Sequence, residues 1–434
     1  MNIETSPGTA AGSGIARSLS VSPCRSLQLG RWVKLICGAS YQDMPAVRRL
    51  VMLYALAGVD CIDVAADGAV VAAARRGLDD AVWIAGHLSD RKAPRWNNHS
   101  LRSHAPWLMV SLNDSEDPHF RKAYFDVGHC PSDCDRPCAS ICPTAAIQFQ
   151  AVNCGGVVEN LCYGCGRCIA VCPIKTIEAR PHLASPTAFP TTQLSQIDAV
   201  EIHTQTGHQS QFEQLWRQLQ PWMPYLKLVS ISCPDHDQVV PYLRDLCTLM
   251  APLGVPLIWQ TDGRPMSGDL GKGTTHAAIR LAQKILAAGL PGYVQPAGGT
   301  NGYTVSKLTE LGLINNSLSA SHLSNCQSSE LPSSLALRLD PEDLGSIHDR
   351  IAGIAYGSYA RSQVMPLLDA IDHELQPWLG NASLNQFPNG QWVSPRSQAA
   401  AFDAADAPWR RLDESALGQG LALSQGLVNQ LKSA

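Results

Sequence analysis

The sequence predicts an α/β protein: a TIM-type (β/α)8 barrel-like domain carrying an inserted two-cluster ferredoxin-like α+β module. Two observations point to the barrel and one to the insertion. Short apolar, β-branched runs recur eight times along the chain, with amphipathic helical stretches between most of them, as βα units around a parallel sheet require. The 434 residues leave room for two or three domains, and 45% hydrophobic with 16% charged residues is the balance of an ordinary globular chain, not a disordered or fibrous one. Nine of the fifteen cysteines fall between Cys130 and Cys172, directly after the third run.

In chain order, residues 1–28 are rich in Ser, Gly and Ala and carry Arg17 and Arg25. A transit peptide shares that composition, and a disordered leader is the simpler reading. The first part of the barrel, residues 29–113, holds strand one at Trp32–Cys37 with a helix near Met44 to Leu56. Strand two follows at Cys61–Val64 with a helix near Val70 to Arg76, and strand three at Trp107–Leu112. The insertion takes residues 114–185 and the second part of the barrel residues 186–368. Its strands are Ala199–His203, Leu226–Ile231, Pro256–Gln260, Gly292–Gln295 and Ile351–Tyr356. An open doubly wound sheet reads similarly. Residues 369–434, with the loop-like Gln386–Gly390, read as a helix or two packed on the barrel and a loose end.

Charge excludes one class of function. With 33 Lys+Arg against 37 Asp+Glu the net charge is −4, so no broad basic field exists for nucleic acid. No apolar run reaches the ~18 to 20 residues of a membrane span, and no charged-then-apolar signal region is present. These features predict a soluble, cytoplasmic protein.

The cysteine window carries the strongest signal. Cys162-Tyr-Gly-Cys165-Gly-Arg-Cys168-Ile-Ala-Val-Cys172-Pro173 is the complete C-x2-C-x2-C-x3-C-P run of bacterial ferredoxins. Gly164 and Gly166 supply small residues where the backbone must approach a cubane. Cys130-x3-Cys134-x3-Cys138-x3-Cys142-Pro143 has wider gaps and the same Cys-Pro ending. The crosswise exchange of two-cluster ferredoxins then assigns Cys130, Cys134, Cys138 and Cys172 to one [4Fe-4S] cluster, and Cys162, Cys165, Cys168 and Cys142 to the other. Ala145–Phe149 and Ile174–Glu178 are the paired strands expected after each Cys-Pro.

Other chemistries fit less well. Four-cysteine sets also hold zinc, but zinc sites have no reason to end twice in Cys-Pro. A disulfide framework is out of place inside a cell, and the C-x3-C-x2-C of radical enzymes is missed by one residue. Cys154 reads as a loop thiol and His129 as a solvated side chain, although a histidine beside Cys130 could tune a cluster. Cys24, Cys37, Cys61, Cys233, Cys247 and Cys326 read as inert structural thiols.

A barrel gathers function on the loops after its strands. Those loops offer Asp63, Asp67, Asn113, His203, Asp235, Asp262 and the run Gly298-Gly299-Thr300-Asn301-Gly302. Gly298, Gly299 and Thr300, with Gly357 and Ser358 after strand eight, stand where barrels cradle a phosphate, such as that of a flavin mononucleotide; glycines there also serve simply as turns. Lys34, Asp63, Glu201 and Lys227 are expected in an interior ion-pair layer. Gly268–Thr275 imitates a P-loop but has Met266 at the first glycine and Gly273 at the Ser/Thr position. Neither a G-x-G-x-x-G after a strand nor a hydrolase triad order nor H-E-x-x-H is visible.

The cysteine window, joined to Gly30–Ser40, Gly298–Thr304 and Gly353–Arg361, resembles the cyanobacterial light-dependent period protein A family over about residues 29 to 365. The resemblance implies an iron–sulfur protein of circadian input, which reports redox state, and through it light intensity, to clock input and oscillator proteins, histidine kinases included. It implies a redox donor in photosynthetic electron transport, with a quinone as one candidate. Sensing is the first expectation. A flavin-dependent oxidoreductase fed by the clusters and acting on a small molecule at the barrel's C-terminal face is the alternative, because fold does not decide between them.

Overall fold

The computed structural model describes residues 22–38, 44–88, 104–115, 121–150, 154–159, 161–189, 194–263, 275–314, 350–379 and 412–432. Helix α1 (Pro23–Gln28) lies within the stretch read as a leader; Ser22 caps it and Leu27 is buried beneath the barrel floor. The first part of the barrel then runs β1 (Trp32–Ile36), α2 (Met44–Ala57), β2 (Cys61–Ala65), α3 (Gly68–Leu88) and β3 (Trp107–Asn113). The intervening segment holds β4 (Arg121–Tyr124), α4 (Pro137–Ile141), β5 (Ile147–Gln150), β6 (Cys154–Val157), α5 (Arg167–Val171) and β7 (Glu178–Pro181).

The sheet resumes with β8 (Ala199–His203), α6 (Gln209–Leu219), β9 (Leu228–Pro234), α7 (Val239–Met250), β10 (Leu257–Asp262), α8 (Thr275–Ala287), β11 (Tyr293–Ala297), α9 (Thr304–Glu310) and β12 (Gly353–Tyr356). Helices α10 (Ser358–Val364), α11 (Leu368–Leu379) and α12 (Ala416–Lys432) complete it. Eight parallel strands run β11-β10-β9-β8-β3-β2-β1-β12, and a bridge between Val294 and Ile351 brings the two edges together. The result is a nearly closed barrel-like sheet, consistent with a TIM-type barrel and not with an open doubly wound sheet.

Burial on both faces explains why the strands read as continuous apolar runs. Val33, Leu35, Ile62, Val64, Val200 and Ile202 point outward into the helix layer, while Trp32, Cys61, Met109, Ala199, Leu228 and Ile258 form a compact floor inside. One step up the strands, the inward side chains of Lys34, Asp63, Glu201, Ser230, Gln260 and Gln295 are polar and buried. Gly353 opens β12 because any Cβ there would lie 2.2 Å from the Trp32 carbonyl oxygen.

Several boundaries differ from expectation. Helix α3 extends far past Arg76 to Leu88, carried by an alanine-rich apolar face that packs along α2. Lys227 stays out of the barrel interior: it precedes β9, is half exposed, and pairs with Asp198 at 2.7 Å on the floor side. The apolar stretches after the two Cys-Pro steps do not pair with each other. Instead β5 pairs antiparallel with β6, and β7 with β4. Gln386–Gly390, residues 268–274, Cys326 and the leader before Ser22 lie outside the described residues. Among those described, no helix is long and apolar enough to cross a membrane.

Candidate functional site

The segment between β3 and β8 repeats itself. One constant offset relates Arg136 to Gly166, α4 to α5, Cys138 to Cys168, Cys142 to Cys172, and Ala145 to Lys175. Arg136 (φ 52°) and Gly166 (φ 72°) are the left-handed N-caps of the two short helices, which pack against each other. Each helix stops at its Cys-Pro, because proline cannot continue the ladder. Three residues beyond each of these cysteines, Ala145 (φ 52°) and Lys175 (φ 53°) are again left-handed, and their N–H groups return to the carbonyls of Cys142 (3.3 Å) and Cys172 (3.2 Å).

This double reversal aims backbone N–H groups at sulfur. Ala146 N–H donates to Cys142 Sγ at 3.2 Å, and Arg136 N–H to Cys134 Sγ at 3.4 Å. Burial opposes ionisation of Cys172, yet the N–H groups of Thr176, Ile177, Ile174 and Lys175 outweigh it and hold the thiol below its ordinary value. Phe125, Ile147 and Ile177 join Cys138, Cys168 and Cys172 in a small core of their own, with Phe149 5.8 Å from Phe125.

The cysteines gather in two groups. Cys142, Cys162, Cys165 and Cys168 line one small cavity, with Ala123, Ile147, Val157 and Tyr163 as apolar walls. Cys168 is pushed up to about 12 by burial, then by its neighbours Cys162, Cys165 and Cys142. Cys130 is raised by burial, then by Cys134 and Cys172; Cys138 is also raised by burial, with Cys172 and Cys130 adding to it. Among the described residues no set of three or more His, Cys, Asp or Glu side chains stands close enough to hold a single metal ion. A thiol quartet around a cavity, with N–H groups turned to sulfur, fits a polynuclear iron–sulfur group better than one tetrahedral zinc with its ~2.3 Å Zn–S bonds.

The cavity quartet faces the barrel. Tyr163, 2% exposed, belongs to the barrel's own hydrophobic core, and Cys165 packs on that core. Gly164 (φ 82°) lets the chain pass β4 so closely that a Cβ would lie 2.3 Å from the Arg121 carbonyl oxygen. Nothing in the local sequence marked Tyr163; its contacts are with residues far along the chain. His129 is exposed beside Asp126 at 3.6 Å, and Cys154 contributes its backbone to β6.

Inside the barrel, Lys34 pairs with Glu201 and, at 3.4 Å, with Asp63. His203 Nε2 approaches Glu201 Oε1 at 3.3 Å from the C-terminal side, and Ser232 donates to Asp262. Gln260 donates to Glu201 (2.6 Å), Gln295 to Gln260 (2.8 Å), and the Trp32 indole to Gln295 (2.6 Å). Thus Asp63, His203 and Asp262 share one network, whereas Asp235 turns outward to Lys284 at 2.8 Å. Next to it lies a second set: Thr204 donates to Asp114, and His208 Nδ1 stands 3.2 Å from the same carboxylate.

The glycine turns meet at the ends of β11 and β12. Gly298 (φ 57°) and Gly299 (φ 98°) reverse the chain, and Thr300 Oγ1 donates to the Ala355 carbonyl at 2.6 Å. Ser358 Oγ, after Gly357, accepts from Arg361, whose guanidinium also donates to the Ile36 carbonyl at 3.0 Å. Thr300 therefore ties the seventh strand to the eighth, and its hydroxyl is spent on that tie. Cys37 and Cys233 are pushed up to about 12 by burial, and Cys61 and Cys247 are raised for the same reason, as expected of inert thiols.

A family model described as the LdpA Fe-S cluster-binding domain matches residues 130–183, and one described as the Light dependent period A C-terminal domain matches residues 192–396. Among curated relatives, Light dependent period A of Synechococcus elongatus is 51% identical over 293 residues, which span 67% of this chain and 77% of the relative.

Proposed function

This chain belongs to the light dependent period A family, and from that premise we propose that it is a redox sensor built on two [4Fe-4S] clusters in a ferredoxin-like insertion. Cys130, Cys134, Cys138 and Cys172 hold one cluster, and Cys142, Cys162, Cys165 and Cys168 the other. When bound, such clusters exchange single electrons at potentials set by charge, hydrogen bonds to sulfur and exposure. The supporting observation is the lining of a single cavity by Cys142 together with Cys162, Cys165 and Cys168, although Cys142 belongs to the other half of the repeat. The protein's own part is to shield the quartets with Phe125, Ile147, Ile177 and Tyr163 and to aim N–H groups at the sulfurs.

In this reading the chain works in the cytoplasm and takes its electron from photosynthetic electron transport, with a quinone as the candidate donor. It passes the state to circadian input and oscillator proteins, histidine kinases among them, and works as a sensor more than as a catalyst. The test is anaerobic purification with iron, sulfide and flavin counted per chain, then electron paramagnetic resonance after dithionite. About eight iron and eight sulfide per chain support two cubanes; zinc in their place overturns the reading.

A second reading, an iron–sulfur and flavin oxidoreductase, draws on the polar barrel interior of Lys34, Asp63, Glu201 and His203 and on the glycine turns beside Arg361. Flavin mononucleotide near one per chain favours it; a spectrum accounted for by iron and sulfide alone counts against it.

A further inference from the structure

The insertion meets the barrel at a buried charge. Lys122, on β4, has a side chain 10% exposed; its Nζ stands 3.3 Å from Asp67 Oδ2 and donates to the Glu159 carbonyl at 2.7 Å. Asp67 follows β2 at the C-terminal end of the barrel. Its other oxygen accepts the N–H groups of Ala69 (2.9 Å) and Val70 (3.4 Å), capping α3 and fixing the carboxylate in place.

The Glu159 carbonyl that takes the Lys122 ammonium also accepts the Cys162 N–H at 3.2 Å, and Ala123, the next residue along β4, lines the pocket of the barrel-facing quartet. His182 closes the surround: its Nδ1 is 2.8 Å from Glu159 Oε1, and burial first, then Lys122, keeps it below its ordinary value. One ammonium group therefore joins a barrel carboxylate to the carbonyl that also holds the Cys162 backbone, in a place largely shut off from water.

We propose that Lys122 couples the barrel-facing cluster to the barrel, setting that cluster's reduction potential and transmitting its change of charge to Asp67. Given the cluster assignment proposed above, the physics is direct. A one-electron donor adds one negative charge to the cluster and its thiolates, with no bond made or broken. A nearby cation favours the reduced form and a nearby carboxylate disfavours it, and the low local dielectric keeps both effects strong. The electron's arrival also gives Lys122 a second strong anion, which loosens its hold on Asp67 and on the start of α3.

The test is a redox titration of the full-length protein, purified without oxygen and followed by electron paramagnetic resonance, with iron counted per chain. Lys122→Gln is expected to lower the midpoint of one of the two cluster signals. Asp67→Asn, which keeps a capping side chain and loses the charge, is expected to raise the same midpoint. Lys122→Arg keeps the charge and leaves it near wild type. Opposite shifts on a single cluster are what charge coupling demands; no shift, or two shifts of the same sign with iron intact, overturns the proposal. A wild-type protein with no cluster on the Cys142 quartet instead overturns the cluster assignment, and the coupling with it.

Discussion

Lys34 on β1 and Glu201 on β8 form an ion pair in the middle of the barrel, with neither side chain exposed to solvent. Glu201 also accepts from Ser230 (3.0 Å) and Gln260 (2.6 Å), whereas Asp63, the other carboxylate near Lys34, takes Ser111 at 2.6 Å. One cation cannot neutralise two buried carboxylates. Burial works against Glu201, but Lys34, His203 and Ser230 hold it below the usual carboxylate range, so Glu201 carries the charge. Asp63 is pushed up to about 6 by burial, which the more distant Lys34 only partly offsets.

Removing the cation should therefore cost more than removing the pair. Lys34→Met leaves Glu201 charged and uncompensated in the barrel, a change of roughly 3–5 kcal/mol in stability. Lys34→Met combined with Glu201→Leu should recover much of that loss. Urea unfolding of the two variants checks this, and a double variant as unstable as the single would contradict it.

The Asp63 carboxyl sets a pH dependence of definite sign. Its folded value, about 6, lies above the ordinary 3.8, so between these values the native state keeps a proton that the unfolded chain has released. Stability from this group is complete below about pH 4 and is lost as pH rises through 6, by on the order of 2–3 kcal/mol. Asp63→Asn should lack that decline. The difference in urea midpoint between wild type and variant, followed from pH 4 to 7, measures it; a wild-type midpoint that rises relative to the variant's over this range has the wrong sign.

Much of the barrel was legible because its outward strand residues, such as Val33, Leu35, Val200 and Ile202, alternate with inward ones inside short apolar runs. Lys34, Asp63 and Glu201 were visible as charges in those runs. Lys227 was misplaced because the run Leu226–Ile231 begins two residues before β9 does. Ser230, Gln260 and Gln295, which complete the interior network, each stand two residues beyond a floor residue, Leu228, Ile258 and Tyr293, the same step that separates Trp32 from Lys34. Lys122 and Tyr163 were not legible, because Asp67 and the barrel core are brought to them only by the fold. Nor does residue type announce the left-handed backbone at Arg136, Ala145 and Lys175, which becomes apparent only beside its repeat.

The crosswise cysteine sets proposed above predict a pattern in paired variants. Cys142→Ser and Cys165→Ser act on one quartet, so the double variant should lose no more iron than either single, about half of the total in a two-cubane protein. Cys142→Ser with Cys138→Ser acts on both quartets and should lose nearly all of it. Iron and sulfide counted after anaerobic purification distinguish the two doubles, and the reverse order, with nearly all the iron lost from the first double and half from the second, would refute the crossing of Cys142 and Cys172 between halves.

Arg136 and Gly166 occupy equivalent left-handed positions, and they should respond oppositely to substitution. A side chain in this region costs roughly 1–2 kcal/mol relative to glycine, so Gly166→Ala should destabilise the insertion by about that amount. Arg136 already bears the strain but recovers part of it, since its guanidinium lies 4.3 Å over the Phe149 ring, a contact of about 0.5–1 kcal/mol at exposed sites. Arg136→Gly should then be neutral or gain up to about 1.5 kcal/mol. Gly164→Ala adds a collision to the strain, because the new Cβ would sit 2.3 Å from the Arg121 carbonyl oxygen and must push β4 away from Cys162. It should release the barrel-facing quartet's iron far faster than Gly166→Ala does. Chelator-driven iron loss, followed by absorbance, ranks the three variants, and equal rates for Gly164→Ala and Gly166→Ala would show that β4 yields without disturbing the quartet.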